Sequence, residues 1–266
     1  ETGKTVNEST LLVREYLQAR VLEALQRAGA FRHWAFLGGT ALRFLFRLPR
    51  FSEDLDFSLA GVPGSPDIPR DEFTRFIAHI TKTFEAEAYV VETRERPEAT
   101  VQSAFIGFPG LLHELGLSPH REQKISIKIE IDTNPPEGAE ATTSVVRRHV
   151  LLNLLHYDKT SLFAGKLHAI LQRPYAKGRD IYDLLWYLSD STWPEPNLRL
   201  LRASLAQTGT TLSEPQISGW RNLVAERLAG YEPSEWNRII DDVRPFLEKS
   251  EEIELLKRDT VLGLLR

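Results

Sequence analysis

Apolar residues at Leu12, Val13, Tyr16, Leu17, Val21, Leu22 and Leu25 recur at the spacing of one helix face. That pattern predicts an amphipathic helix over residues 9–28, with Ser9 or Thr10 as its cap and Gly29 as its stop. Residues 61–66, rich in Gly and Pro, read as a loop, and residues 71–87 return to the helical period. The period then changes to two. Residues 89–93, 100–108 and 124–132 read as strands, rich in β-branched and aromatic side chains. In the last of them Ile125, Ile127, Ile129 and Ile131 alternate with Ser126, Lys128, Glu130 and Asp132, so one face is buried and the other polar. Residues 145–155 fit a strand and a helix equally well. Beyond them helical spacing dominates, over 157–173, 180–189, 197–207, 218–229 and 233–249. The expected class is α+β: a mixed sheet with helices in residues 1–150, followed by a helical lobe over 151–266, the two sharing a cleft.

Composition narrows the chemistry. The chain has 266 residues and no cysteine, which excludes disulfides, thiolate zinc sites and thiol nucleophiles. The histidines form no pair at zinc-ligand spacing with a partnering acid. No apolar run approaches the roughly 20 residues needed to span a bilayer, and no signal-peptide pattern is visible, so a cytoplasmic protein without a membrane partner is expected. Lys and Arg number 33 against 37 Asp and Glu, a formal charge of −4, which argues against coating nucleic acid through bulk positive charge. It leaves room for local binding. Arg43, Arg47 and Arg50 fall at i, i+4 and i+7, either as a basic rim for a nucleotide or RNA end or as a solvated helix face.

Residues 36–59 carry the strongest chemical signal: Phe-Leu-Gly-Gly-Thr-Ala-Leu-Arg, a spacer, then Phe-Ser-Glu-Asp-Leu-Asp-Phe-Ser-Leu. On a strand Asp54 and Asp56 project to one side while Leu55 and Phe57 enter the core. Two hard oxygen ligands then stand where one or two magnesium ions could bridge the phosphates of a nucleoside triphosphate. Gly38 and Gly39 let the backbone approach a phosphate chain, and Thr40 could cap a helix whose N-terminal amides face the anion. Ser52, two residues before Asp54, suits a phosphate contact or a turn equally. Further on, Lys166 sits at the edge of the stripe made by Phe163, Leu167, Ile170 and Leu171. Asp180, Asp183 and Tyr187 flank the buried face of the next helix, so Lys166 and Asp180 could meet across a helical hairpin. A structural ion pair is the alternative. Asp183 is expected to anchor its helix or pair with Arg179.

The Gly-Gly turn, short spacer and Asp-x-Asp strand resemble the nucleotidyltransferase superfamily related to DNA polymerase beta. With Ser161-Leu-Phe-Ala-Gly-Lys166-Leu-His-Ala-Ile and Lys177-Gly-Arg-Asp180-Ile-Tyr-Asp183-Leu, residues 30–190 resemble the abortive-infection nucleotidyltransferase toxins of the AbiEii type. The resemblance implies a magnesium-dependent transfer of a nucleoside monophosphate from an NTP to RNA, the tRNA 3′ end in particular, by the toxin of a toxin–antitoxin pair. It assigns Asp54, Asp56, Lys166 and Asp180 to catalysis. Gly38, Gly39, Thr40, Arg43 and Ser52 go to the nucleotide. The third metal acid belongs on the strand ending at Asp132; Glu130 points the same way, and Asp132 is preferred as nearer the strand end. A cognate antitoxin is the expected partner. The rivals are a nucleotidyl- or phosphotransferase acting on a small molecule or protein hydroxyl, and a non-catalytic nucleotide-binding module.

Overall fold

The computed structural model describes residues 5–60 and 71–266; the loop expected at 61–66 lies outside them. The elements run α1 (Val6–Ala28), β1 (Trp34–Leu37), α2 (Gly38–Phe46), β2 (Asp54–Leu59), α3 (Glu72–Ala86), β3 (Glu92–Arg96), β4 (Val101–Pro109), α4 (Leu111–Glu114), β5 (Lys124–Asp132), β6 (Ala141–Arg148) and β7 (Val150–Tyr157). Helices α5 (Lys159–Gln172), α6 (Gly178–Leu188), α7 (Leu198–Gln207), α8 (Glu214–Ser218), α9 (Trp220–Ala229), α10 (Pro233–Val243) and α11 (Arg258–Leu264) follow. Two units result: one made of residues 1–47, 51–135 and 142–156, the other of 48–50, 136–141 and 157–266.

The first unit is built on a seven-stranded mixed sheet, ordered β3-β4-β5-β2-β1-β7-β6. β1 runs antiparallel to β2 and parallel to β7, and β2 runs parallel to β5. Ile125, Ile127, Ile129 and Ile131 are all buried on one face of β5, as their alternation requires. On the same principle Leu55 and Phe57 are buried while Asp54 and Asp56 keep partial access to solvent. Leu17, Val21, Leu22 and Leu25 of α1 enter this core, and Trp34 packs edge-on against Phe76 of α3 with ring centroids 5.1 Å apart. Thr5, not Ser9 or Thr10, caps α1, accepting from the Glu8 amide at 3.1 Å, and Gly29 ends it at φ 86°.

One strand expectation needs correction, and one open reading is decided. The strand placed at 89–93 forms three residues later, because Ala88 turns the chain at φ 66° and Tyr89 packs on Phe84 and Phe108. The polar run Glu92–Arg96 then pairs with β4 as an edge strand. Residues 145–155 resolve into β6 and β7, divided at His149 by a φ of 59°.

In the second unit Asp158 caps α5, its Oδ1 accepting from the Ser161 amide at 2.8 Å. Phe163 stacks on Tyr187 of α6 at 4.4 Å and meets Trp220 of α9 edge-on at 5.3 Å. The first residue of α6, Gly178, is glycine for a steric reason: a Cβ there would run into the backbone carbonyl of Ile239 in α10.

Candidate active site

Antiparallel pairing of β1 with β2 sets Leu37 opposite Asp56, so the Gly-Gly turn leaves the sheet beside the second aspartate. Gly38 adopts φ +80°, and a Cβ on it would collide with Asp56 Oδ2. The positive φ favours glycine, and an added methyl would force the Asp56 carboxylate to move. Helix α2 starts at this point, and its first amides have no carbonyl partner within the helix, an arrangement suited to an anion. Thr40 plays a different part from the one expected. The cap position is Leu37, and the Thr40 hydroxyl is buried, donating to the main-chain oxygen of Asp54. It ties the helix start to the acidic strand.

Two buried polar residues of α1, missed in the sequence, hold the same region. Gln18 Nε2 donates to the carbonyls of Ser52, at 3.0 Å, and Glu53, at 2.8 Å, immediately before Asp54. Ser52 itself is half-buried. Glu15 pairs with Arg43 of α2 and accepts from Arg148 Nε at 2.9 Å; His149 Nε2 lies 2.9 Å away. Burial pushes the Glu15 carboxyl up, but Arg148 and Arg43 overcome this and hold it below its ordinary value. Arg43 is thus buried against a carboxylate and Phe51, not presented to a nucleotide as expected. The signal was available: Leu11, Glu15, Gln18, Leu22 and Leu25 share one helical stripe, and two polar residues interrupt it. Substituting Gln18 with Leu is expected to lower kcat about ten- to a hundredfold by letting the strand start drift, with the KM for NTP little changed. A steady-state series on Gln18→Leu and Gln18→Asn checks it, and equal losses in kcat and thermal stability across both would reduce Gln18 to a packing residue.

The register also bears on the choice of a third acid. Parallel pairing of β2 with β5 puts Asp54 beside Lys128, Asp56 beside Glu130 and Ser58 beside Asp132. The Gly-Gly turn approaches the beginning of β2, so the relevant end of β5 is not the one that carries Asp132. Asp132 lies about 6.6 Å further along the strand than Glu130, at two residues' rise. It accepts instead from the Asn134 amide at 2.9 Å. Glu130, with Lys128 Nζ at 2.7 Å, is the acid in line with Asp56. Among the described residues no three His, Asp or Glu side chains close around a common point. An open face of carboxylates fits magnesium, which commonly takes one or two protein carboxylates and completes its shell with water and substrate phosphate.

In the second unit the expected pair of Lys166 and Asp180 is part of a larger buried cluster. Lys166 Nζ lies 2.9 Å from Asp180 Oδ1 and 2.6 Å from Asp183 Oδ2. Arg50 clasps Asp183 through two hydrogen bonds, Nε to Oδ1 at 2.6 Å and Nη2 to Oδ2 at 2.7 Å. Arg173 Nε lies 3.1 Å from Asp180 Oδ2. Arg50 therefore serves no solvent-facing basic rim, although Arg47 remains exposed. Asp183 does not pair with Arg179, which stacks over Phe246 at 4.4 Å and approaches Asp242 at 3.9 Å.

Burial raises the Asp180 carboxyl, but Lys166 and Arg173 more than reverse this, leaving it below its ordinary value. Burial likewise lowers the Lys166 ammonium, and Asp180 and Asp183 lift it above its ordinary value. The signs fix a stability window. The Asp180 contribution is present above the unfolded carboxyl value and lost as pH falls through the lowered folded one. The Lys166 contribution is present below the unfolded amine value and lost as pH rises through the raised folded one. Urea midpoints are expected to be flat between about pH 5 and pH 8, with the gap between wild type and Asp180→Asn closing only in stronger acid. A gap that closes near neutrality contradicts the assignment.

A Gly-Gly helix start set against an Asp-x-Asp strand of a mixed sheet is the arrangement that the nucleotidyltransferase resemblance implies. The chain belongs to the AbiEii nucleotidyl transferase toxin family of type IV toxin–antitoxin systems, whose sequence model matches residues 20–258. No curated protein matches the chain. Among solved structures it resembles MenT4, a nucleotidyltransferase toxin from Mycobacterium tuberculosis H37Rv, at TM-score 0.53 and 15% identity over 99% of this chain and 96% of that one. It also resembles JHP933 from Helicobacter pylori, at TM-score 0.51 and 16% identity, covering 96% and 91% of the two chains. At such identities the likeness concerns the fold. The family implies an NTP substrate and an antitoxin partner.

Proposed function

We propose that this nucleotidyltransferase moves a nucleoside monophosphate from an NTP to the 3′ end of an RNA, a tRNA in particular, with magnesium, in the cytoplasm. Blocking that end would halt translation, and the cognate antitoxin would relieve the block. The observation that carries the reading is the close approach of Gly38 to Asp56, because it brings a glycine turn and a helix N-terminus against carboxylates that share one sheet face with Glu130.

Asp54, Asp56 and Glu130 would hold the metal, which when bound neutralises phosphate charge and acidifies the acceptor hydroxyl. The amides at the start of α2 would donate to oxygens of the β- and γ-phosphates. The acceptor oxygen bonds to the α-phosphorus, the bond to the bridging oxygen breaks, pyrophosphate leaves with the electron pair, and the hydroxyl proton passes to water. For Lys166 and Asp180 the support is the family's motif positions and the charged state their partners maintain. The experiment is incubation with magnesium, total tRNA and each α-labelled NTP in turn. Label in RNA with one base preferred supports the proposal; label confined to protein or small molecules moves it to another acceptor.

A further inference from the structure

The polar face that bears Asp54 and Asp56 continues outward across β5, β4 and β3. Register pairing lines up Arg94, Phe105, Lys128 and Asp54 in one row, and Arg96, Ser103, Glu130 and Asp56 in the next. Residues directly opposite one another share a sheet face, so these two rows form a continuous floor. Its outer part is a cavity of about 340 Å³ lined by Arg94, Arg96, Ser103, Phe105, Lys128 and Glu130. Arg94 and Arg96 are exposed, and Phe105 keeps 43% of its surface in solvent, with Lys128 Nζ 5.8 Å from its ring centre.

The Phe105 ring is open to solvent beside Lys128 and opposite Arg94, with Arg96 on the same face in the next row. A flat base with a trailing phosphate satisfies both features at once. We infer that this trough binds the single-stranded end of the RNA acceptor, with a base on Phe105 and backbone phosphates on Arg94, Arg96 and Lys128. The inference rests on the nucleotidyl-transfer reading and names where its acceptor lies.

Geometry separates this ligand from the donor. The Gly-Gly turn lies on the β1 side of β2, whereas the trough lies on the β5 side, reaching β3 about 14 Å away at three strand spacings. In an in-line displacement the attacking and leaving oxygens stand on opposite sides of the α-phosphorus. With pyrophosphate leaving toward the turn, the acceptor enters from the trough. Glu130 and Asp56 stand in the row between the two.

The test uses the full chain with Arg94→Ala/Arg96→Ala and Phe105→Ala, beside Phe105→Trp, which keeps a stacking surface. Anisotropy of fluorescent tRNA and of a short single-stranded RNA with the same 3′ sequence reads binding, apart from transfer of label. The expected result is about a tenfold or greater rise in RNA Kd and acceptor KM for the Ala variants, an unchanged KM for NTP, and recovery in Phe105→Trp. The salt dependence of binding flattens by roughly one and a half units of slope in the double-arginine variant, at about 0.7 for each phosphate contact on a single strand. If wild type binds and labels RNA and the variants match it, the trough is not the acceptor site although the transferase reading stands. A rise confined to the KM for NTP assigns the trough to the donor and overturns the inference. Wild type that neither binds nor labels RNA removes the RNA acceptor itself.

Discussion

Asp54→Asn and Asp56→Asn are expected to lose transfer by at least on the order of 10²–10³-fold, the scale seen when one group stabilising transition-state charge is removed. Their melting temperatures should stay near wild type, because both side chains lie on the half-open face of β2 and not in the core. Gly38→Ala should reach a comparable loss without changing any charge. Its backbone is held at φ +80°, and the added methyl meets Asp56 Oδ2, so the aspartate or the helix start must move. Measuring transfer and NTP binding together distinguishes the two kinds of damage. The Asp variants should bind NTP but need more magnesium, whereas Gly38→Ala should weaken NTP binding itself. Normal turnover by Asp56→Asn would end the catalytic reading of the face.

The largest expected effect on stability lies at Asp183, which is fully buried between Arg50 and Lys166. Asp183→Ala leaves two buried cations short of a partner, and breaking a buried pair in this way costs about 3–5 kcal/mol. Against a typical total of about 5–15 kcal/mol that is a large share. A fall in Tm on the order of 10 °C follows for a unit of this size. Arg50→Met should cost nearly as much. The double variant Arg50→Met/Asp183→Leu should recover part of the loss, since removing both charges avoids the unpaired one, with Lys166 still held by Asp180. Calorimetry on the three variants checks this, and a double variant as unstable as the sum of the singles would mean that the pair contributes little by coupling.

How far the sequence reached follows from what kind of information a local pattern carries. The isoleucine alternation of β5, the apolar stripe of α1 and the period of α5 and α6 foretold their elements, because which face a residue takes depends only on its neighbours along the chain. The Asp-x-Asp spacing likewise put both aspartates on one face. Family membership was legible in the motifs at residues 36–59, 161–170 and 177–184. Pairings were not. Arg43 and Arg50 share a helical spacing in the sequence, yet α2 ends at Phe46 and each arginine is buried against a different acid. Arg50 and Asp183 are 133 residues apart. The alignment of Glu130, not Asp132, with Asp56 depends on β2 and β5 being parallel, and the row from Asp54 to Arg94 exists only once four strands are in register. Sequence determined the faces and the chemistry each could offer. Tertiary structure decided which charges meet, because burial forces a charge to find a partner wherever the fold brings one, and strand register is set by the packing of the whole sheet.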